Sequence, residues 1–175
     1  VLFYILAYTF GTLGAFGSLA YLRRKGGEVE TYDDLSGLGF KFPAVGLIMT
    51  VCILSSAGIP PTAGFLGKLY VFRAAIDVGA QTGEGSFIGL SVLAVLMSVA
   101  GMYYYLRVIV HLYMKPATGE VTALEHSGAK FAIALAAILS LYLGIFPQQA
   151  IQLSREAIVD MQGAPASVQG AIAKG

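Results

Sequence analysis

Residues 55–73 read SSAGIPPTAGFLGKLYVFR. The stretch lies inside a long apolar segment, yet it holds Pro60 and Pro61 side by side, Gly58, Gly64 and Gly67, and the ammonium group of Lys68. Each proline lacks an N–H and disfavours helical geometry in the residue before it. Gly58 and Gly64 accept the backbone angles that an interruption requires. A helix that arrives here stops, and it restarts with a lysine about two turns beyond the stop.

The surroundings decide what such a break means. The chain has 175 residues, of which 57% are hydrophobic and 12% charged, and its mean hydropathy is +0.74. A soluble domain carries about 25% charged residues, and several apolar runs here reach the roughly 20 residues that a bilayer span needs. The composition therefore indicates an all-α integral membrane protein, a polytopic helix bundle. A net charge of +1 gives no reason to expect nucleic-acid binding. The single cysteine, Cys52, sits among apolar neighbours and permits neither a disulfide framework nor a cysteine metal set. Val1 opens directly inside an apolar run, with no initiator methionine and no signal peptide, so the sequence reads as the C-terminal portion of a longer membrane protein.

Apolar patterning predicts spans over about 1–22, 43–78, 87–114 and 129–146, the second interrupted near 59–62. In the first, Gly11, Gly14, Ala15, Gly17 and Ser18 recur at spacings of three and four, which marks a face for close helix packing. The polar segment after it, with Glu28, Glu30, Asp33 and Asp34, is expected to hold a short surface helix ended by Gly37 and Gly39. Residues 148–175 are expected to form an amphipathic surface helix and tail, since Arg155, Glu156 and Asp160 interrupt Ile151, Leu153, Ile158, Val159 and Met161.

The segment from Pro43 to Val78 is too long for one straight span, because at 1.5 Å per residue it would exceed roughly 50 Å against roughly 30 Å of hydrocarbon. Basic residues choose between two spans and one broken span. Arg23, Arg24, Lys25 and Lys41 lie in the first loop, Lys115 and Lys130 in the third, and the intervening DVGAQTGEGS from Asp77 has none. One interrupted span puts both basic loops on the same side, as the positive-inside rule expects. Two spans would put them on opposite sides.

Irregular backbone at membrane depth is tolerated only inside protein or beside water. The break therefore predicts a polar, hydrated interior, with a proline kink of packing value as the plainer alternative. Lys68 is the candidate for carrying chemistry. Desolvation favours the neutral form of a buried amine, which suits a group that gains and loses a proton. The alternative is a lysine that snorkels to an interface. Arg73 and Asp77 are spaced for a mutual ion pair on the face away from Lys68, which leaves Lys68 to find a partner or water on another helix. Tyr103, Arg107 and His111, spaced by four, form a polar stripe that suits a proton relay. It equally suits a depth anchor at the basic end. Glu120, Glu125 and His126 fall in a polar loop with no metal-ligand spacing.

Four stretches together resemble a known family: AYTFGTLGAF from Ala7, YDDLSGLGFKFP from Tyr32, LSSAGIPPTAGFLGKLYVF from Leu54 and YYYLRVIVHLYM from Tyr103. They resemble the end of the subunit N family of bacterial respiratory complex I, antiporter-like, proton-pumping membrane subunits of NADH-quinone oxidoreductase. The resemblance runs to about Pro147, and its most specific part is GIPPTAGF with the following GK. It implies the C-terminal part of an inverted-repeat antiporter-like fold with one discontinuous transmembrane helix. Lys68 matches the family's lysine on that helix, at the end of the proton path. Other lysines and a glutamate of that path would lie on earlier helices. The resemblance also implies a bacterial inner (plasma) membrane location, with loops 23–41 and 115–130 cytoplasmic and the tail periplasmic.

Nothing in the sequence suits flavin, an iron–sulfur cluster or nicotinamide. Those groups and the quinone are expected on partner subunits, with no cofactor or metal on this chain. The expected partners are other membrane subunits of complex I, the lipid bilayer and N-terminal helices of the same polypeptide. Two rival readings remain at this point. One is a subunit of a multisubunit sodium–proton antiporter or of a membrane-bound hydrogenase. The other is a passive scaffold, which would gain nothing from a membrane-embedded ammonium.

Overall fold

The computed structural model describes residues 2–24, 27–83, 85–117, 121–123, 127–149 and 152. Helix α1 (Leu2–Tyr21) passes into strand β1 (Leu22–Arg24), which is followed by strand β2 (Gly27–Glu28), a 3-10 turn (Asp33–Leu35) and the short helix α2 (Leu38–Lys41). Helices α3 (Pro43–Ala57) and α4 (Ala63–Thr82) flank the break, then come α5 (Gly85–Met114), strand β3 (Val121–Ala123) and α6 (Ser127–Ile145). Among the described residues α1, α5 and α6 are each long and apolar enough to cross a membrane.

Neighbouring residues define the run of the chain. Gly14 of α1 lies against Cys52 of α3, Gly11 against Ser56, and Gly67 of α4 against Tyr4. Phe3 meets Tyr70 edge-on with ring centroids 6.1 Å apart. Contacts therefore step back along α1 as the chain advances, so α3 and α4 descend one after the other, antiparallel to α1. Helix α6 descends beside them: Ile133 packs on Gly17, and Gly144 lies against Pro61 and Thr62. The stripe of small residues on α1 makes this closeness possible. A Cβ at Gly17 would stand 2.7 Å from Cγ2 of Ile133, and one at Gly14 would collide with Sγ of Cys52.

The larger core cluster sits at the loop end of the bundle, where Tyr21, Leu22, Leu35, Leu38, Met49, Leu112 and Ile133 are buried together. A smaller one (Phe3, Ala7, Ala63 and Leu143) lies at the other end. The break falls between them. Helix α5 packs on its neighbours by one narrow face and leaves Leu90, Leu93, Leu96, Met97 and Val99 exposed. That face suits hydrocarbon or another protein's helices.

At the loop end the structure departs from the sequence reading in two ways. A three-stranded sheet, ordered β2-β1-β3, was not expected. Strand β1 pairs antiparallel with β3, Arg23 opposite Thr122, and so joins the two basic loops at one end of the bundle. The expected short surface helix is met by the 3-10 turn Asp33–Leu35, which closes just before Gly37, but Gly37 also opens α2, and Gly39 lies inside that helix. The φ of Gly37, 73°, places it in the left-handed region at the start of α2, and its N–H donates to the carbonyl of His111 at 3.1 Å. A Cβ there would stand 2.8 Å from the Ala117 nitrogen. The chain then turns by 117° into α3, with Pro43 in the first turn where no N–H is missed. The amphipathic helix expected from Gln148 to Met161 lies outside the described residues apart from 148, 149 and 152, as do Glu120, Glu125 and His126.

Candidate functional site at the helix break

A helix leaves its last four carbonyls without helical partners, and at the end of α3 each of them finds a donor. The N–H of Gly58 reaches the Leu54 and Ser55 carbonyls at 3.1 and 3.0 Å, and the N–H of Ile59 reaches Leu54 at 3.0 Å. Gly58 makes this turn with φ 82°. The remaining two carbonyls are taken by a side chain. Nζ of Lys68 donates to the Ser56 oxygen at 3.0 Å and to the Ala57 oxygen at 3.1 Å.

Lys68 thus finds two backbone partners on the first half of its own interrupted helix, where the sequence led to a partner or water on another helix. The ammonium sits at the negative end of the α3 dipole, a favourable place for a cation. Hydrogen bonds to a charged group contribute about 1.5–3 kcal/mol each. Gly58 also supplies clearance, since a Cβ on it would stand 3.1 Å from Cδ and 3.2 Å from Nζ of Lys68.

The restart at α4 is held by hydroxyl groups. The Gly64 N–H donates to Oγ of Ser55 at 3.2 Å, and Oγ of Ser140, from α6, donates to the same oxygen at 2.8 Å. Ser55 and Ser140 are both fully buried. Thr62 turns its hydroxyl back onto the Ile59 carbonyl at 2.6 Å. Gly64 and Gly144 allow three backbones to meet here: a Cβ on Gly64 would overlap the Ser55 carbonyl, and one on Gly144 would overlap the Pro61 carbonyl. Pro60 and Pro61 occupy the loop, with a cis bond between them.

Ser55, Ser140 and Gly144 escaped the sequence reading. Ser55 carried a faint signal as the first of two serines before the break, and Ser140 as a serine deep in an apolar helix. Replacing Ser140 by Ala is expected to destabilise the protein by about 0.5–2 kcal/mol, because one interhelical hydrogen bond in an apolar setting is lost. The unfolding midpoint of the purified full-length protein checks this.

The stripe of Tyr103, Arg107 and His111 divides. Tyr103 is 64% exposed and stacks edge-on with Tyr104. Arg107 and His111 converge on Tyr32 of the first loop: the guanidinium lies 4.7 Å from the ring centroid and the imidazole 5.4 Å from it. Nδ1 of His111 also lies 2.8 Å from the Arg107 carbonyl. Arg107 and His111 thus meet Tyr32 at the loop end, whereas Lys68 meets Ser56 and Ala57 at the break. Arg73 and Asp77 stand 3.9 Å apart as an exposed i,i+4 pair.

A cavity of about 560 Å³ opens between α1, α3, α5 and the first loop. It is mainly apolar, with Tyr8, Thr12, Glu30, Tyr32, Ser56 and Tyr105 as its polar members. Ser56, whose carbonyl holds the ammonium, lines this cavity, and Lys68 is not among its lining residues.

A family model described as NADH:quinone oxidoreductase/Mrp antiporter, TM, matches residues 1–98, more than half of the chain. NADH-quinone oxidoreductase subunit N 1 of Sorangium cellulosum is 41% identical over 162 residues, covering 91% of this chain and 30% of the relative. Subunit N of Trichlorobacter lovleyi is 41% identical over 159 residues, covering 90% and 31% respectively. Among solved structures, a chain of respiratory complex I from Thermus thermophilus superposes with a TM-score of 0.68 at 33% identity, covering 83% of this chain and 32% of its own length. This chain therefore spans about a third of the length of the relatives it matches.

Proposed function

This chain belongs to the NADH:quinone oxidoreductase/Mrp antiporter transmembrane family, and from that premise we propose that it is a proton-translocating part of the membrane arm of an NADH-quinone oxidoreductase. The observation that carries the reading is the ammonium of Lys68 seated on the Ser56 and Ala57 carbonyls at the break. That seat holds a proton where hydrocarbon would reject a charge. A second cation arriving nearby, on helices outside the third of the relatives that this chain spans, would raise the cost of the charge and drive the proton off. Departure of that cation would let it return. Proton movement in one part of the subunit thereby drives release in another.

On this reading electron transfer is the work of partner subunits, which hold flavin, iron–sulfur clusters and quinone, and this chain works without a cofactor or metal of its own. Its partners are other membrane subunits, the remaining helices of its own polypeptide and lipid. The joined basic loops, 23–41 and 115–130, face the cytoplasm of a bacterium, with the tail on the periplasmic side. Pairing of β1 with β3 supports this placement, because it brings both loops to one end as the positive-inside rule requires. Arg107 and His111 anchor the first loop through Tyr32, a role that their ring contacts support.

The relatives' names favour this reading over an antiporter or hydrogenase subunit. The full-length protein, tagged and purified from gently solubilised membranes, is expected to bring NADH-oxidising subunits with it. Recovery with hydrogenase subunits, or with no redox partner, would overturn the assignment.

A further inference from the structure

The end of α3 has the makings of a cation receptor independent of the side chain that now fills it. Two carbonyl oxygens, Ser56 and Ala57, point at one position 3.0 and 3.1 Å away, the spacing of N–H···O hydrogen bonds. The α3 dipole presents its negative end to the same point. Gly58 contributes no Cβ to obstruct it, and the cleared space reaches Nζ and Cδ of Lys68. The buried Ser55 hydroxyl, which accepts from the Gly64 N–H and from the Ser140 hydroxyl, keeps the two halves of the helix in register behind it.

We infer that the C-terminal end of α3 is a binding site for small ammonium-type cations, with Lys68 as its tethered occupant. A free methylammonium ion binds there once the side chain is removed. The inference rests on the reading of Lys68 as an exchangeable charge: a tethered ion that leaves a real receptor can return to it. Specificity follows from the oxygens present. Two carbonyls satisfy two N–H donors, with water left to take the third. A sodium ion, which needs several oxygens to replace its hydration shell, is poorly served, and tetramethylammonium has no donor to offer.

The test uses the full-length protein in its purified complex, with Lys68→Ala, and ¹³C-methylammonium binding read by saturation-transfer NMR. The Ala variant is expected to bind methylammonium saturably, about tenfold more tightly than the wild type. Excess tetramethylammonium should not displace it. Lys68→Arg should bind no more than the wild type, since guanidinium fills the same site. Where the Ala variant fails to assemble, Lys68→Ser opens the site and gives the same readout. Equal binding in wild type and variant, or displacement by tetramethylammonium, would overturn the inference. Proton pumping is a separate reading. A variant that loses pumping and binds no methylammonium refutes the receptor alone, and one that pumps normally while binding it refutes the proposed function alone.

Discussion

Replacing Gly64 by Ala is expected to leave little or no assembled protein in the membrane. The new Cβ would overlap the Ser55 carbonyl, and that carbonyl belongs to the last turn of α3. Backbone cannot rotate away as a side chain can, so the two half-helices must part. Parting them breaks the Gly64 to Ser55 hydrogen bond and removes the support on which Ser140 closes. Overpacking costs typically 1–3 kcal/mol, and the lost hydrogen bonds add about 1 kcal/mol each, against a total stability of about 5–15 kcal/mol. Gly144→Ala should act alike, because its Cβ would overlap the Pro61 carbonyl from the α6 side. Gly89→Ala is the control: nothing stands within 4 Å of its Cβ, and alanine is the better helix former by about 1 kcal/mol. Quantitative blotting of washed membranes reads all three. Normal abundance of the Gly64 and Gly144 variants would mean that the break is looser than described.

Replacing Lys68 by Ala is expected to remove most proton translocation while the complex still assembles. Lys68 is half-buried, and its loss strips the donors from the Ser56 and Ala57 carbonyls. A buried acceptor left without a donor costs about 1–3 kcal/mol, but access of water to a half-buried site offsets part of that. Reduced thermal stability with near-normal abundance is the consequence. Pumping falls for a different reason, since no other described group occupies the end of α3 to hold the proton. NADH-driven acidification of membrane vesicles containing the variant complex measures it.

Both expectations depend on features of unequal visibility in the sequence. The break was legible because Pro60, Pro61, Gly58 and Gly64 act through local backbone chemistry, which needs no tertiary knowledge. Lys68 stood out because a charge in an apolar run demands explanation wherever it points. Its partners were not legible. They are backbone carbonyls eleven and twelve residues earlier, and only the path of the loop between them decides that the ammonium meets them. Ser140 was hidden for a similar reason: a single serine deep in an apolar helix carries no spacing signal, and its partner Ser55 lies 85 residues away. The β1–β3 pairing is likewise non-local, joining three-residue strands too short to show alternation. The polar stripe on α5 left its two readings, relay and depth anchor, open in the sequence. Tyr103, Arg107 and His111 share a helix face only approximately, and the Tyr32 ring takes two of them and leaves the third exposed.

On the proposed function Lys68 exchanges a proton as well as capping the end of α3. Lys68→Arg separates these roles most directly. Guanidinium donates to the same carbonyls and keeps its charge, but it does not give up its proton in a protein. In vesicles carrying the full complex, normal assembly, retained thermal stability and a proton translocation rate far below that of the wild type are expected. Translocation at the wild-type rate by a normally assembled Lys68→Arg complex would contradict proton exchange at Lys68, and would leave Lys68 as a helix cap alone.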